Sequence, residues 1–249
     1  MPLVPRPLAL GILLVIASVQ PASGDPILVT DGRVLAVSAL TNAQPPTVVV
    51  KTPMASFSPF VETATANAAA GSVTAQTIAT QRSSIGPALF AATGTIDSAA
   101  NTPDGLDGFA FANGSSTFEI EFDLGAAYRY ALTGLISVDG TGEGGGFGEA
   151  EVSLGTEQVS GGTDVVQEAD IRFGSQLITV TGVLPAGRQR LFMEASTESV
   201  ANAGRSHHGS SFSLDLALTP TPESTTVSLV GGGLLILAAR KFRQGVGSA

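Results

Sequence analysis

Between residues 118 and 124, Phe118, Ile120, Phe122 and Leu124 alternate with Glu119, Glu121 and Asp123. An extended strand points successive side chains to opposite faces, so this run makes one apolar face and one acidic face. On a helix the same residues would scatter carboxylates around the whole axis. The period of two recurs down the chain. It carries Tyr128, Tyr130, Leu132, Ile136 and Val138, with Gly134 in the core register, and then Ala150, Val152 and Leu154. Ile171 and Phe173 suggest a further strand, followed by Ile178, Val180 and Leu184, by Leu191, Met193 and Ala195, and by Phe212, Leu214, Leu216 and Leu218. Strict alternation points to antiparallel sheets with one solvated face. Turn signals at Asp123-Leu124-Gly125 and Leu184-Pro185-Ala186-Gly187 separate the runs. Many short strands with polar turns predict an all-β fold, an antiparallel two-sheet sandwich or jelly-roll-like domain over residues 25–218.

The N-terminal part is less clear. Val61–Ile85 is rich in Ala and Thr and scores weakly as a helix. Yet Val73, Ala75, Thr77, Ala79 and Gln81 alternate with Thr74, Gln76, Ile78 and Thr80, and β-branched residues favour strands. The strand reading is preferred, with another strand over Ala88–Thr95. Asp97–Asp107 reads as a long polar loop, and Gly142–Gly148 as a flexible hairpin tip.

Composition narrows the function classes. With no Cys, the chain has no thiol catalysis, no Cys-based zinc site and no disulfide framework. Twelve basic and twenty-one acidic side chains give −9. Arg6, Arg240, Lys241, Arg243 and Glu223 lie in the terminal segments, which leaves the body near −12. Such a surface repels nucleic acid and anionic lipid, so no nucleic-acid partner is expected.

Both ends read as membrane-directed segments. Arg6 precedes the apolar run Leu8–Ala17, and Ala22-Ser23-Gly24 supplies the small residues that precede a cut. That order is a secretory signal peptide over residues 1–24, an N-terminal helix handed to the secretion translocon and removed at Gly24/Asp25. At the other end a proline-broken spacer, residues 219–224, leads into the uncharged stretch Thr225–Ala239 and then Arg240-Lys241-Phe242-Arg243. As a short apolar helix, fifteen residues would cover about 22 Å, less than the ~30 Å hydrocarbon thickness. Gly231-Gly232-Gly233 weakens it further. The basic cluster would stay cytoplasmic, leaving the middle of the chain outside.

Proline, glutamate, a short hydrophobic helix and a final basic cluster resemble the PEP-CTERM sorting signal of Gram-negative bacteria. The motif positions are Pro222, Glu223, Arg240, Lys241 and Arg243; where the family reads Pro-Glu-Pro, this chain has Ser224. The resemblance implies handling by an exosortase-like membrane processing enzyme and a link to extracellular polysaccharide. It covers the C-terminal segment, residues 225–249, with its spacer. The middle also looks like the Ala/Ser/Gly-rich β domains that precede such tails.

Candidate chemistry in the body is sparse. His207 and His208, the two histidines, read as a loop pair before the last strand. No Gly-x-Ser-x-Gly elbow accompanies them and no His-x-x-x-His spacing suggests a metal. The run Gly142–Gly148 lacks the phosphate-loop pattern and leads into a strand, so it offers no helix N-terminus to an anion. Asp104, Asp107, Asp139, Glu143 and Asp164 fall in expected loops and could supply oxygens to Ca²⁺, without an EF-hand spacing. Glu119, Glu121 and Asp123 share a face, as a glycosidase pair would, but alternation with core residues already accounts for them. Asn113-Gly114-Ser115 fits a glycosylation sequon, a reading of little force in a bacterium. Trp is absent and both tyrosines fall in the core register, which leaves few rings to stack on sugars. No cofactor is expected. The sequence therefore predicts an exported, non-enzymatic surface or matrix protein, and as alternatives a carbohydrate-binding module, calcium-dependent or not, or a hydrolase using His207 or paired carboxylates.

Overall fold

The computed structural model describes residues 24–103, 108–157 and 163–221. Among the described residues there are thirteen strands: β1 (Ile27–Asp31), β2 (Val34–Thr41), β3 (Gln44–Lys51), β4 (Phe60–Ala70), β5 (Val73–Ile85), β6 (Leu89–Thr102) and β7 (Ala110–Leu124). They continue with β8 (Tyr128–Gly142), β9 (Gly145–Glu157), β10 (Thr163–Ile171), β11 (Gly174–Leu184), β12 (Gly187–Ala201) and β13 (Gly204–Pro220). All lie in one unit spanning Ser23–Thr221. The signal and tail helices fall outside the described residues.

All pairings are antiparallel. One sheet runs β10-β9-β12-β7-β2-β3, with β1 continuing the β2 side of β7; the other runs β11-β8-β13-β6-β5-β4. The last eight strands form a long ribbon. β6 pairs with β13, β7 with β12, β8 with β11 and β9 with β10. The ribbon is rolled so that β6 faces β7, β8 faces β9, β10 faces β11 and β12 faces β13 across the core. β2 and β3 extend one sheet, facing β5 and β4 in the other. The two inner faces close on one another, as alternation requires.

The core changes character along the strands. At the pole where β7 ends, Phe90, Phe118, Phe122, Tyr128, Leu132, Leu154, Leu191 and Leu216 are buried, and Phe90 meets Phe122 edge-on at 4.9 Å. At the opposite pole the inward residues are Ala110, Ala112, Ala201, Thr77, Ser98, Thr197 and Ser199. Small side chains let the sheets approach closer than the usual ~10 Å, and hydroxyls of one sheet then reach the backbone of the other. Ser199 Oγ donates to the Ser98 carbonyl at 2.8 Å, Thr102 Oγ1 to Ala201 at 3.0 Å, Thr77 Oγ1 to Ser38 at 3.2 Å and Ser206 Oγ to Gly145 at 2.7 Å. Ser98 and Thr197 join hydroxyl to hydroxyl at 2.6 Å. Each such bond contributes about 1 kcal/mol net, and more would be lost by leaving its partner buried and unpaired.

Several sequence expectations change. Val73–Gln81 is a strand, as preferred over a helix, and its odd-numbered residues are buried. The Asp97–Asp107 loop is shorter than expected, because β6 continues to Thr102 and buries Ser98, Ala100 and Thr102. Asp104 and Asp107 lie outside the described residues. Phe173 is not in a strand: it sits in the turn between β10 and β11, 81% exposed. The glycine-rich tip narrows to Glu143 and Gly144, since Gly145–Gly148 already belong to β9. Gly146 holds φ at +143°, and a Cβ there would lie 2.2 Å from the Glu198 carbonyl, so only glycine fits.

Candidate functional site

The outward face of the seven-stranded sheet is concave near the small-residue pole. The strand registers put Val48, Ser38, Asn113, Glu198 and Phe147 in one rank across β3, β2, β7, β12 and β9. Ala36, Ser115, Ser196 and Glu149 form the next rank. The two ranks, without Glu149, shape a groove of about 400 Å³. Val48, 62% exposed, and Phe147, 48% exposed, stand at its two sides. Ser38 Oγ donates to Asn113 Oδ1 at 2.8 Å, which leaves the Asn113 amide N–H groups as donors for a second partner. The floor thus offers hydroxyls, an amide and a carboxylate below one aromatic ring.

Beside the groove the face turns acidic. Glu194 lies directly opposite Glu151, which lies opposite Asp170, with Glu149 one rank away. Burial pushes the Glu194 carboxyl up from its ordinary range, and the charges of Glu151 and Glu149 add to the effect. Burial likewise raises Glu151, reinforced by Asp170, Glu168 and Glu149 and opposed by Arg190. An anionic ligand would meet repulsion here; a neutral, hydroxyl-bearing one would not.

The histidines lie inside β13 and not in a loop, which corrects the sequence reading. His207 points outward, its Nε2 3.0 Å from Asp97 Oδ2 on β6. His208 points between the sheets, where Gly140 and Gly146 leave room for its ring. Its Nδ1 is 3.1 Å from Ser199 Oγ and 3.4 Å from Ser206 Oγ. Burial and the neighbouring His207 push its pKa down, partly opposed by Asp139 and Glu198. Ser199 is fully buried and donates to a backbone carbonyl, so no substrate carbonyl can reach its hydroxyl. The arrangement braces the strands and does not form a nucleophile–base pair.

Glu119, Glu121 and Asp123 face solvent as expected, and each is engaged. Arg190 Nε donates to Glu119 at 2.7 Å, Thr30 Oγ1 to Glu121 at 2.6 Å and Arg188 Nε to Asp123 at 3.1 Å. The other acids read as loop residues do not converge. Asp139 lies in β8, Glu143 in the turn after it and Asp164 in β10, and no group of three or more metal-binding side chains occurs among the described residues. Tyr128 and Tyr130 are buried, as their register implied.

Of the targeting residues, Ala22, Pro222, Glu223, Arg240, Lys241 and Arg243 lie outside the described residues. Gly24 lies within them. Its carbonyl accepts the Tyr128 O–H at 2.7 Å, and the Thr221 N–H donates to Ala127 at 3.0 Å. Both ends of the body therefore dock beside Ala127-Tyr128, at the pole where β7 ends. Asn113 is eleven positions back from Leu124 on β7, about 35 Å at ~3.3 Å per residue. The groove opens near the opposite pole.

No family model matches the chain, and no curated protein does. Among solved structures, 63% of the chain is similar to 19% of the enzymatically active domain of bacteriophage CBA120 tailspike protein 4, at 12% identity and a TM-score of 0.22. The chain spans about a fifth of that tailspike chain. It is also similar over 92% of its length to 76% of a chain of the infectious bursal disease virus Gx strain, at 12% identity and a TM-score of 0.18. Likenesses this slight carry no argument about fold or function.

Sequence reasoning missed the groove because its parts come from five strands. Phe147, the ring beside it, lay inside the glycine run read as a flexible tip. A lone aromatic among glycines was the one available signal.

Proposed function

We propose that this is an exported, non-enzymatic surface or matrix protein, sorted by its PEP-CTERM-like tail, whose groove holds a stretch of neutral extracellular polysaccharide. The observation that carries the reading is polar separation. Gly24 and Thr221, which lead to the signal and the tail, dock at one pole, and the groove opens near the other. A domain tethered at its first pole presents the groove away from the membrane. The rolled ribbon β6–β13, with sequence neighbours facing across the core, supports a jelly-roll arrangement, an architecture that lectins share. Phe147 supplies an apolar surface for a sugar face, and Ser38, Asn113, Ser115 and Glu198 supply hydrogen bonds to hydroxyls.

Affinity electrophoresis of the full chain against neutral and acidic polysaccharides tests the binding claim. Retardation by a neutral glucan or mannan is expected, with little by alginate or hyaluronate. Phe147→Ala should weaken it by about tenfold, the loss of one stacked ring. Retardation that is equal in Phe147→Ala, or confined to acidic polymers, would overturn the groove reading. Intact mass of the protein recovered from a host carrying an exosortase-like enzyme tests the sorting claim separately. A product beginning near Asp25 and lacking Arg240-Lys241-Phe242-Arg243 is expected; an untrimmed tail would refute processing.

A further inference from the structure

Among the described residues the two sheets end in five edge strands, β1, β3, β4, β10 and β11, and four carry recognisable guards against pairing with another strand; β1 has a register shift between Leu28 and Thr30. β10 has a register shift between Val165 and Gln167 and carries Asp164, Glu168 and Asp170. β3 has Pro45 and Pro46, and its Lys51 bonds Glu62 of β4 at 2.7 Å, which ties those two edges together. Charges, prolines and bulges are the ordinary means of blunting an edge. β11 has none of them. Its eleven residues pair with β8 without any shift of register. From Gly174 to Gly187 there is no charged side chain, and the strand itself contains no proline. Among the described residues nothing pairs with its outer edge. Leu177, 75% exposed, and Val183, 56% exposed, project from its outward face, and Leu135 of β8 lies directly beside Leu177.

We infer that β11 is a self-association edge, pairing antiparallel with β11 of a second copy to join the two six-stranded sheets. The strand's own sequence argues for a copy of itself as the occupant. Placed on a two-fold axis at Val180, it sets Leu177 against Val183, Thr179 against Thr181 and Ile178 against Gly182. On the outward face apolar side chains meet apolar ones and hydroxyls meet hydroxyls. An isologous contact requires this self-complementarity. The free backbone N–H and C=O groups gain partners at the same time. Net charge points the same way: with the body near −12, copies repel one another over most of the surface, and this uncharged edge is where two can approach.

The test is independent of the groove. Because the chain has no Cys, Thr179→Cys/Thr181→Cys installs the only thiols, opposite one another in the expected dimer. A short bis-maleimide should convert the full-length double variant to covalent dimer, whereas Val50→Cys, 58% exposed on the guarded β3 edge and outside the groove, should remain monomeric. In sedimentation of the full chain in mild detergent, the unmodified protein should dimerise. Thr179→Lys/Thr181→Lys opposes two pairs of like charges and should raise the dissociation constant about tenfold or more. Both threonines are exposed, so the circular dichroism of the lysine variant should match that of the parent. A monomer at every concentration overturns the inference. So does a dimer that survives the two lysines, which would assign association to the tail or another face.

Discussion

Arg33 offers the sharpest test of how this sandwich is held together. Its guanidinium is fully buried, with Nε and one terminal nitrogen 2.7 and 2.6 Å from the two oxygens of Asp31. The other terminal nitrogen donates to Ser83 Oγ on the facing sheet at 3.1 Å, and the group lies 5.8 Å from the Phe60 ring centre. Asp31 also accepts the N–H of Phe57, a residue held at φ +61° in the connection between β3 and β4. One ion pair thus anchors the crossover between the two sheets. Arg33→Met keeps most of the apolar stem but strands a buried carboxylate, which costs about 3–5 kcal/mol. Asp31→Ala strands the cation and should cost a similar amount. Removing both leaves no buried charge, only the backbone N–H groups of residues 33 and 57 and Ser83 Oγ short of partners, about 1–3 kcal/mol. The double variant should therefore be more stable than either single one.

Urea denaturation followed by far-ultraviolet circular dichroism, on all four proteins, measures that cycle. Acid titration adds a second readout. Burial alone would raise the Asp31 carboxyl, but the hydrogen bonds from Arg33 and Phe57 and the Arg33 charge outweigh it and hold the pKa below the ordinary value. A depressed folded pKa stabilises above the unfolded value of about 3.9, and that contribution is lost as pH falls through the folded one. The parent should lose stability on that limb, and the double variant should lose less. Additive single costs, or a loss below about 1 kcal/mol for Arg33→Met, would refute the argument that this pair acts as a buried unit.

Two further outcomes follow from the close sheet packing and the acidic face. A Cβ on Gly134 would sit 2.0 Å from the backbone carbonyl of Ser213, which β13 cannot move without losing its pairing to β6. Gly134→Ala should lower stability by about 3 kcal/mol or more, while Gly145→Ala, with nothing nearer than 4.0 Å, should stay within about 1 kcal/mol; thermal melts compare them, and equal melting temperatures would contradict the packing. For Glu194 the pKa sign is opposite to that of Asp31. Its raised folded pKa means that the folded state takes up a proton more readily, so stability rises as pH falls from neutrality through that pKa. Glu194→Gln should add about 0.5–1 kcal/mol at pH 7 and flatten the pH dependence between 7 and 5, and a variant that melts below the parent at pH 7 would refute it.

How much of this was legible depends on which physical term decided each segment. Phe118–Leu124 was readable because large apolar and charged residues alternate there, and transfer free energy alone assigns the faces. Val73–Gln81 was readable because β-branched residues tipped a weak helix signal. Asp97–Thr102 and Ser206–Ser210 were misread as loop because their inward residues are hydroxyls, a histidine and one alanine, Ala100. Those residues are buried only because carbonyls and hydroxyls of the facing sheet satisfy them, and local hydropathy contains no record of that partner. Phe173 failed in the opposite sense, an apolar ring left outside by a turn. Around Asp31-Gly32-Arg33, nothing within three residues signals that Ser83 and Phe60 will enclose the arginine.

The same division explains why the groove lies where it does. Bulk apolar burial is concentrated at the pole that docks Gly24 and Thr221, where imprecise packing can be absorbed by repacking side chains. At the groove pole, alanines bury little area each, and the sheets are held by directional bonds such as those joining Ser98, Thr197 and Ser199. Hydrogen bonds weaken steeply when misaligned, so they fix strand register more strictly than aliphatic contacts do. The rank Val48–Ser38–Asn113–Glu198–Phe147 exists only if four successive registers are each correct. A groove assembled from five strands, with no loop to adjust it, is best placed over the part of the core that tolerates the least slippage.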